Sequence, residues 1–227
     1  MSGRVLSGRA LSAAFYARDT ELVARDLLGA VLECTAGGAR CRGRIVETEA
    51  YVGEHDPACH AAAGRTARTE VLYGPPGLAY VYFVYGMHWC VNAVTRRAGL
   101  PGAVLIRAVE PLEGLSAMHR RRGRRVQADL TNGPAKLCQA FGITGGRHHG
   151  VSLLTGPLRI LGGQPVPDGD VGVTSRIGIA RAADWPLRWV VRESRFVSAR
   201  RETERLLKGF PVPSGVHHFF STDVPKL

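Results

Sequence analysis

A short strand-like stretch, Ile45–Tyr51, and a later tyrosine-rich stretch, Leu78–Asn92, constrain the fold of this chain most strongly. Alternate side chains of a strand share a face, so Glu49 and Tyr51 should point the same way, with Glu47 beside them. Removing a carboxylate from water costs free energy unless the acid has a partner or a chemical task. The pattern therefore predicts an enclosed carboxylate next to an aromatic wall.

Two interpretations of Glu49 follow from this pattern. In the first, Glu49 is a general base that burial tunes to act near neutral pH. In the second, it is a strand carboxylate that pairs with one of the many arginines. Glu47 lies on the same face, where it either competes for the first role or serves as an ion-pair partner. Periodicity alone leaves these interpretations open.

The charge balance of the chain indicates a polyanionic partner. Its 227 residues include 30 Lys and Arg against 19 Asp and Glu, which gives a formal charge of +11 and an isoelectric point near 10.1. Such a field favours nucleic acid first and an anionic membrane second. The alternative is that the arginine content merely reflects the base composition of the genome. The longest apolar run, Leu78–Tyr85, is too short to cross a bilayer, so we expect no membrane association.

The cysteines predict a reducing compartment. The chain has five of them, without a CxxC pair and without an apolar leader. An odd count outside a secretory context favours free thiols in the cytoplasm. A Cys34–Cys41 disulfide across the intervening turn is the alternative.

Hydrophobic periodicity predicts a single α+β domain over residues 1–227, since no repeat or linker divides the chain. Residues 1–11 are expected to be mobile and residues 211–227 to form an irregular tail. After Tyr51, glycines and prolines punctuate a long loop, which is typical of a functional segment. Helices are predicted at Ser12–Leu28, Glu113–His119 and Gly133–Phe141, and strands at Ala30–Thr35, Ala39–Tyr51, Leu78–Tyr85, His88–Thr95, Gly102–Ala108, Leu158–Leu161, Val171–Ile179 and Leu187–Val191.

Four side chains of the long loop resemble metal ligands: His55, Asp56, Cys59 and His60. No second cluster completes a tetrahedral set at the usual spacing, and a single loop rarely supplies a closed zinc site. We therefore expect no metal. His60 is interpreted instead as a stacking or hydrogen-bonding group in a pocket.

The turn of the tyrosine-rich hairpin carries a large aromatic side chain, Tyr85, next to Gly86. A ring in this position is poorly buried, and on a very basic protein it suits insertion between stacked bases. Met87 and His88 share the same tip. The arginine-rich run Arg120–Arg125 is interpreted either as a solvated face or as a surface that contacts phosphates.

Several of these motifs, in this order, closely resemble the alkyladenine DNA glycosylase (3-methyladenine DNA glycosylase) family. The resemblance covers most of the chain, from about Leu22 to Val197. The matching motifs are Arg44–Tyr51, His60, Tyr80–Met87, Asn92, Leu105–Pro111, Leu130–Leu137 and Arg176–Ile179.

The resemblance implies a single mixed domain around a curved antiparallel sheet, with a protruding hairpin that inserts into DNA. It implies a repair enzyme that flips alkylated or deaminated purines out of duplex DNA and hydrolyses the N-glycosidic bond. We expect a monomer that leaves an abasic site, cuts no strand and needs no metal or organic cofactor. 3-Methyladenine, 7-methylguanine, hypoxanthine and ethenoadenine all fit this chemistry.

The resemblance also assigns the chemical roles. Glu49 corresponds to the general base that activates the attacking water. Arg107 corresponds to an arginine that helps to hold the flipped nucleotide and this water. Tyr51, His60 and Tyr82 correspond to the residues that sandwich the flipped base.

The remaining assignments concern recognition of the lesion. The backbone amide of His60 would read the base at its 6-position, and Asn92 would disfavour guanine by crowding its 2-amino group. Tyr85 would enter the minor groove and fill the hole in the stack, with Met87 and His88 beside it. His88 departs from the tyrosine expected in this family, which affects the fit at the lesion rather than the chemistry.

Two other classes of function are alternatives to this interpretation. A non-catalytic DNA-binding module, in which Glu49 is merely structural, predicts salt-sensitive binding and no released base. A metal-dependent hydrolase built on His55, Asp56 and His60 predicts strand scission and loss of activity with a chelator.

Overall fold

The structure is a computed structural model that describes residues 8–84, 86–123 and 126–209. Several predictions concern other residues and lie outside the described ones. They are the mobility of most of segment 1–11, the insertion of Tyr85, the last two arginines of the run at 120–125, and the irregular tail at 211–227.

Within these residues, the chain forms one antiparallel sheet. Its strands are β1 Val31–Ala36, β2 Ala39–Tyr51, β3 Ala79–Val84, β4 His88–Val94, β5 Ala103–Glu113, β6 Leu158–Leu161, β7 Val171–Thr174 and β8 Arg188–Val191. The order across the sheet is β3-β4-β5-β2-β1-β6, while β8 pairs with both β2 and β7. The predicted α+β class and antiparallel sheet are confirmed. The sheet is open, and its curvature stays a prediction.

Two glycines form the turn between β1 and β2. Gly37 has φ 55° and Gly38 has φ 73°, and both central residues of a type I′ turn need such positive values. The strand residues that flank the turn, Ala36 and Ala39, pair directly. The predicted hairpin is confirmed.

The long pairing of β2 with β5 contains register shifts on both sides of Glu47. Ile45 packs in the main hydrophobic core, and the Thr48 hydroxyl, three residues later, donates to the Ala24 carbonyl of the same core at 2.8 Å. Strict alternation would place residues 45 and 48 on opposite faces. An extra residue in one strand is a β-bulge, a feature that often re-aims side chains next to active sites.

β5 extends to Glu113, beyond the predicted end at Ala108. Proline cannot donate a ladder hydrogen bond, yet the strand continues past Pro111. In the structure Pro111 lies opposite Gly43, next to another register shift of the β2–β5 pair. Proline is tolerated in a sheet at such irregularities.

Helices pack on both sides of the sheet. They are α1 Ala13–Tyr16, α2 Thr20–Asp26, α3 Leu115–Arg122, α4 Pro134–Phe141, α5 Gly145–His148 and α6 Arg200–Gly209. The helix predicted at Gly133–Phe141 is confirmed as α4, which begins one residue later, at Pro134, and ends before Gly142, whose φ of 72° suits a helix C-cap. The loop after Tyr51 contains two short 3₁₀ turns, His60–Ala63 and Glu70–Tyr73.

In the C-terminal third, one predicted strand was wrong in its extent and one helix was missed. The strand predicted to continue to Ile179 ends at Thr174, because the chain leaves the sheet there and turns at Gly178, which has φ 76°. Helix α6 was not predicted at all. Its sequence is dominated by charge, and Leu206 and Leu207 alone gave too weak an apolar pattern.

The sheet is packed on both faces near the pairing of β2 with β5. The main core lies on the side of α2, α3 and α4. A smaller cluster on another face joins Val46, Ala108 and Val190 to Phe196 and Val197. Polar groups between these layers are therefore shielded from water. Among the described residues, no helix is long and apolar enough to cross a membrane.

Candidate active site

Glu49 is fully buried, and three donors hold its carboxylate. Oε2 accepts hydrogen bonds from the Tyr51 hydroxyl at 2.9 Å and from Arg107 Nη1 at 3.1 Å. Oε1 accepts from the backbone N–H of Ile177 at 2.8 Å. The predicted common orientation of Glu49 and Tyr51 is confirmed. The carboxylate is enclosed, as the general-base interpretation requires, and it is also paired with an arginine, as the structural interpretation requires.

Glu47 is the other fully buried acid on this strand. Its Oε1 accepts from Arg107 Nε at 3.0 Å, from Arg188 Nε at 2.8 Å and from the Ser198 hydroxyl at 2.8 Å. Its Oε2 accepts from the Ser198 N–H at 2.6 Å. Burial alone would raise the pKa of Glu47, but the two guanidinium groups and Ser198 outweigh it and lower this pKa. Glu47 is thus a fixed anion, the ion-pair partner that the sequence offered as an alternative.

Arg107 bridges the two acids from β5. Its Nη1 also lies 3.5 Å from the Ile177 carbonyl, and its Nη2 lies 3.4 Å from the Ser198 hydroxyl. Burial disfavours the cation, but the carboxylates of Glu49 and Glu47 more than compensate and raise the pKa of Arg107. The guanidinium therefore stays charged at any physiological pH.

These groups lie beside a cavity of about 360 Å³. Its volume falls in the range of small-molecule sites, roughly 300–1,000 Å³. The cavity brings together six of the predicted site residues: Tyr51, His60, Tyr82, His88, Asn92 and Arg107. Glu49 does not line it, but all three of its donors come from lining residues.

His60 and Tyr82 touch each other and form one aromatic wall. Their ring centroids are 4.5 Å apart, with an angle of 77° between the rings. The His60 ring nitrogen Nδ1 also lies 2.8 Å from the Tyr80 hydroxyl, which fixes the imidazole. Burial, and secondly the charge of Arg68, lower the pKa of His60. The imidazole is therefore neutral at neutral pH.

Tyr51 also lines the cavity, and an arginine packs against its ring. The Arg176 guanidinium lies 4.7 Å from the centre of its ring. Arg176 donates to both carboxylate oxygens of Asp56, at 2.5 and 2.8 Å, and both side chains are fully buried. Burial, and secondly the charge of Glu49, raise the pKa of Tyr51. Its hydroxyl therefore remains a donor to Glu49.

Two of the four loop residues that resembled metal ligands, Asp56 and His60, have other partners. Asp56 pairs with Arg176 and also accepts from the backbone N–H groups of Val52 and Ala58, at 3.2 and 3.0 Å. In the described parts of the chain, no group of three or more histidine, cysteine or acidic side chains is placed to hold a metal ion.

Asn92 is buried on β4 at the edge of the cavity. Its side-chain amide donates to the Tyr80 carbonyl at 3.1 Å, which fixes the orientation of this side chain. On the same hairpin, Met87 and Phe83 are exposed large apolar residues, at 68% and 45% of their surface. His88 is exposed as well, and it is the predicted tip residue that also lines the cavity.

Comparison with known proteins shows the family of this chain. The sequence profile of the methylpurine-DNA glycosylase family matches residues 14–195. This chain belongs to the methylpurine-DNA glycosylase family. It is therefore an enzyme, a DNA glycosylase.

This chain aligns with relatives of high identity over nearly their whole length. A protein of Myxococcus xanthus is 51% identical over 191 residues, which cover 83% of this chain and 93% of that protein. A protein of Carboxydothermus hydrogenoformans is 47% identical over 187 residues, covering 82% and 97%. One of Salinibacter ruber is 49% identical over 199 residues, covering 83% and 96%. All three are provisionally named 3-methyladenine DNA glycosylase.

Sequence reasoning missed three side chains of this glycosylase site. Arg188 and Ser198 bind Glu47, and Arg176 holds Tyr51. Arg176 belongs to a recognised motif, but its role there was not apparent. The available signal was an arginine inside a predicted apolar strand, namely Arg188 between Leu187 and Trp189, because a buried charge needs a partner.

Proposed function

We propose that this family member flips alkylated or deaminated purines out of duplex DNA and hydrolyses the N-glycosidic bond with a water activated by Glu49. One observation supports this most strongly. A fully buried carboxylate lies directly behind an aromatic cavity, and its three donors among the described residues all belong to residues that line that cavity. 3-Methyladenine, which appears in the names of the relatives, is the first expected substrate.

Extrusion of the base is required because a base inside a duplex is out of reach of the cavity. Unstacking costs a few kcal/mol, and the cost is smallest for weakly paired lesions. The exposed Met87 and Phe83 give the hairpin an apolar end, which suits a wedge between base steps. Tyr85, at the same turn, is proposed to fill the vacated space.

The flipped base is proposed to lie between Tyr51 on one side and the wall of His60 and Tyr82 on the other. Stacking is worth roughly 1–3 kcal/mol per base, which offsets part of the cost of extrusion. A neutral His60 does not repel a cationic alkylated purine. The His60 amide would read the 6-position, and Asn92 would crowd the 2-amino group of guanine. Hypoxanthine, ethenoadenine and 7-methylguanine are the further candidates.

The chemical step is a displacement at the sugar. The water oxygen bonds to C1′, the bond from C1′ to the base nitrogen breaks with its electron pair going to the base, and Glu49 takes the proton of the water. Each carboxylate oxygen accepts two hydrogen bonds. In the part of the chain that the structure describes, Oε1 of Glu49 has one donor, Ile177 N–H, so one position remains for the water. The anion also faces the developing positive charge of the sugar.

Arg107 and the Ile177 carbonyl are proposed to orient this water. The guanidinium offers donors next to Oε2, and the carbonyl offers an acceptor for the second proton of the water. Together they would orient the attack, and orientation of this kind lowers the barrier without any cofactor.

We propose that the enzyme is monofunctional and cuts no strand. Strand cleavage by a glycosylase needs an amine that forms a Schiff base with the sugar. Lys136, close to cavity-lining residues of α4, donates instead to Asn132 at 2.9 Å. The enzyme is proposed to act as a monomer on double-stranded DNA.

The test is base release from duplexes that carry one 3-methyladenine, hypoxanthine or ethenoadenine. Wild type and Glu49→Gln are compared in the presence of EDTA, with lesion binding measured in parallel. We expect wild type to release free base, and the variant to bind the lesion without releasing it. The product should break only after alkali treatment, because it is an abasic site.

Four outcomes would contradict the proposal. Equal base release by Glu49→Gln would move the chemistry to another group. Binding without any released base would make the chain a DNA-binding module. Inhibition by EDTA, or strand breaks without alkali, would require a metal or a lyase step.

A further inference from the structure

The segment from Phe196 to Gly209 lies beyond the part of the chain that the family profile matches, and it contacts two buried charges next to Glu49, namely Glu47 and Arg188. We propose that Ser198 and Thr203 of this segment are positioning residues for catalysis, which act through Glu47 and Arg188 to hold Arg107 on Glu49. This inference rests on the proposed role of Glu49.

Ser198 fixes Glu47 from two sides. Its N–H donates to Oε2 at 2.6 Å, and its hydroxyl donates to Oε1 at 2.8 Å. The same hydroxyl lies 3.4 Å from Arg107 Nη2. Ser198 therefore contacts both Glu47 and Arg107, the anion and the cation that connect this segment to Glu49.

Thr203, in the first turn of α6, fixes Arg188. Its hydroxyl accepts from Arg188 Nη2 at 2.7 Å and donates to the Ser198 carbonyl at 3.0 Å. Arg188 is fully buried and uses its other donors on Thr174, at 2.9 Å, and on Glu47, at 2.8 Å. Each of the three guanidinium nitrogens therefore donates to an acceptor on a different element, β2, β7 or α6.

The charges explain why this matters for Arg107. The buried network contains two carboxylates, Glu47 and Glu49, and two guanidinium groups, Arg107 and Arg188. Since Arg188 neutralises Glu47, Arg107 can turn Nη1 towards Glu49 while Nε stays on Glu47. With Arg188 displaced, Glu47 would draw Arg107 away from Glu49, because an unpaired buried charge is costly.

Packing holds the segment in place independently of these hydrogen bonds. Phe196 and Val197 are buried against Val46 and Val190, and Leu207 of α6 packs beside them. Removing one hydroxyl should therefore perturb the charge network without detaching the segment.

The decisive variants are Thr203→Val and Ser198→Ala, with Thr203→Ser as the rescue. Thr48→Val is the matched control, because Thr48 lies on β2 between the two acids, is equally buried, and donates to the Ala24 carbonyl on the opposite face. The measurements are the single-turnover rate constant for base release and the dissociation constant for lesion DNA, on a hypoxanthine duplex and on a 7-methylguanine duplex.

We expect Thr203→Val and Ser198→Ala to lower the rate constant on hypoxanthine by about tenfold to 100-fold, as misplacement of catalytic groups does. The loss on 7-methylguanine should be smaller, because its positive charge already weakens the N-glycosidic bond and less activation of the water is needed. Binding should change little, Thr203→Ser should restore the rate constant, and Thr48→Val should leave it at the wild-type value.

Equal rate constants for Thr203→Val and Thr48→Val, with Ser198→Ala also unchanged, would overturn the inference. So would an equal loss on both lesions accompanied by weaker binding, which would indicate a general structural defect. Neither result bears on the proposed function, since Glu49→Gln would still be inactive. If Glu49→Gln releases base as fast as wild type, the proposed function itself fails.

Discussion

Replacing Asp56 by asparagine should destabilise the protein strongly while preserving the size of the side chain. Asp56 and Arg176 form a bidentate pair in which both side chains are fully buried. The variant keeps one carbonyl acceptor but removes the carboxylate charge that forms the ion pair with the buried guanidinium. Breaking such a pair from one side costs about 3–5 kcal/mol, and the retained acceptor favours the lower limit, about 3 kcal/mol.

Thermal unfolding measures this effect directly. For a chain of this size, 1 kcal/mol corresponds to roughly 2–4 °C, so the melting temperature of Asp56→Asn should fall by about 6–12 °C. The matched control is Glu70→Gln, which breaks the exposed ion pair of Arg65 with Glu70 in the same loop region. We expect no measurable shift for this control, as is common for exposed pairs.

A double variant separates charge from packing. Asp56→Asn combined with Arg176→Met removes the isolated charge, so it should melt at a higher temperature than the sum of the single effects predicts. If Asp56→Asn melts like Glu70→Gln, or if the double variant shows simple additivity, the stability does not depend on this buried pair and the reasoning is refuted.

Three further predictions concern the cavity and its hairpin. His60 has a lowered pKa, so the unfolded chain binds more protons than the folded one below about pH 6.5, and the free energy of unfolding should decrease as the pH is lowered through that range. Urea unfolding of His60→Gln should show a smaller decrease, and the same decrease as in wild type would contradict this. A Cβ at Gly145 would lie 2.3 Å from the Trp89 ring, so Gly145→Ala should lower the free energy of unfolding in urea by about 1–3 kcal/mol. A Cβ at Gly146 would meet open space, so Gly146→Ala should show no such loss. Asn92→Ala should release undamaged guanine from duplex DNA faster than wild type does, and an unaltered rate would remove Asn92 from guanine exclusion.

The predictable parts of this fold are those that local chemistry determines. Gly37 and Gly38 could be placed in a hairpin turn because few other residues adopt positive φ without strain. Pro134 and Gly142 marked the ends of α4 for the same kind of reason. Helix α6 could not be predicted because its stability depends on tertiary contacts of a few residues, such as Leu207, rather than on a clear apolar periodicity.

The site divides in the same way. Alternation along β2 placed Glu49 and Tyr51 together, but the other cavity residues came from motif resemblance rather than from periodicity. The partners of Glu47 could not be predicted from spacing, since Arg188 lies 141 residues away and Ser198 lies 151 residues away. Such contacts depend on how distant segments pack, which no local pattern encodes.

The bulge around Glu47 divides β2 into two halves of opposite phase. Before it, odd-numbered side chains such as Cys41 and Ile45 enter the main core, and after it, even-numbered ones such as Ala50 do so. Loss or gain of a single residue there would exchange the two faces of the second half. The carboxylate of Glu49 would then enter the main core, and an alanine would face the cavity. The length of this strand is therefore as strict a requirement as its acids, and a family member that changes it must lose the reaction or rebuild both layers of the protein.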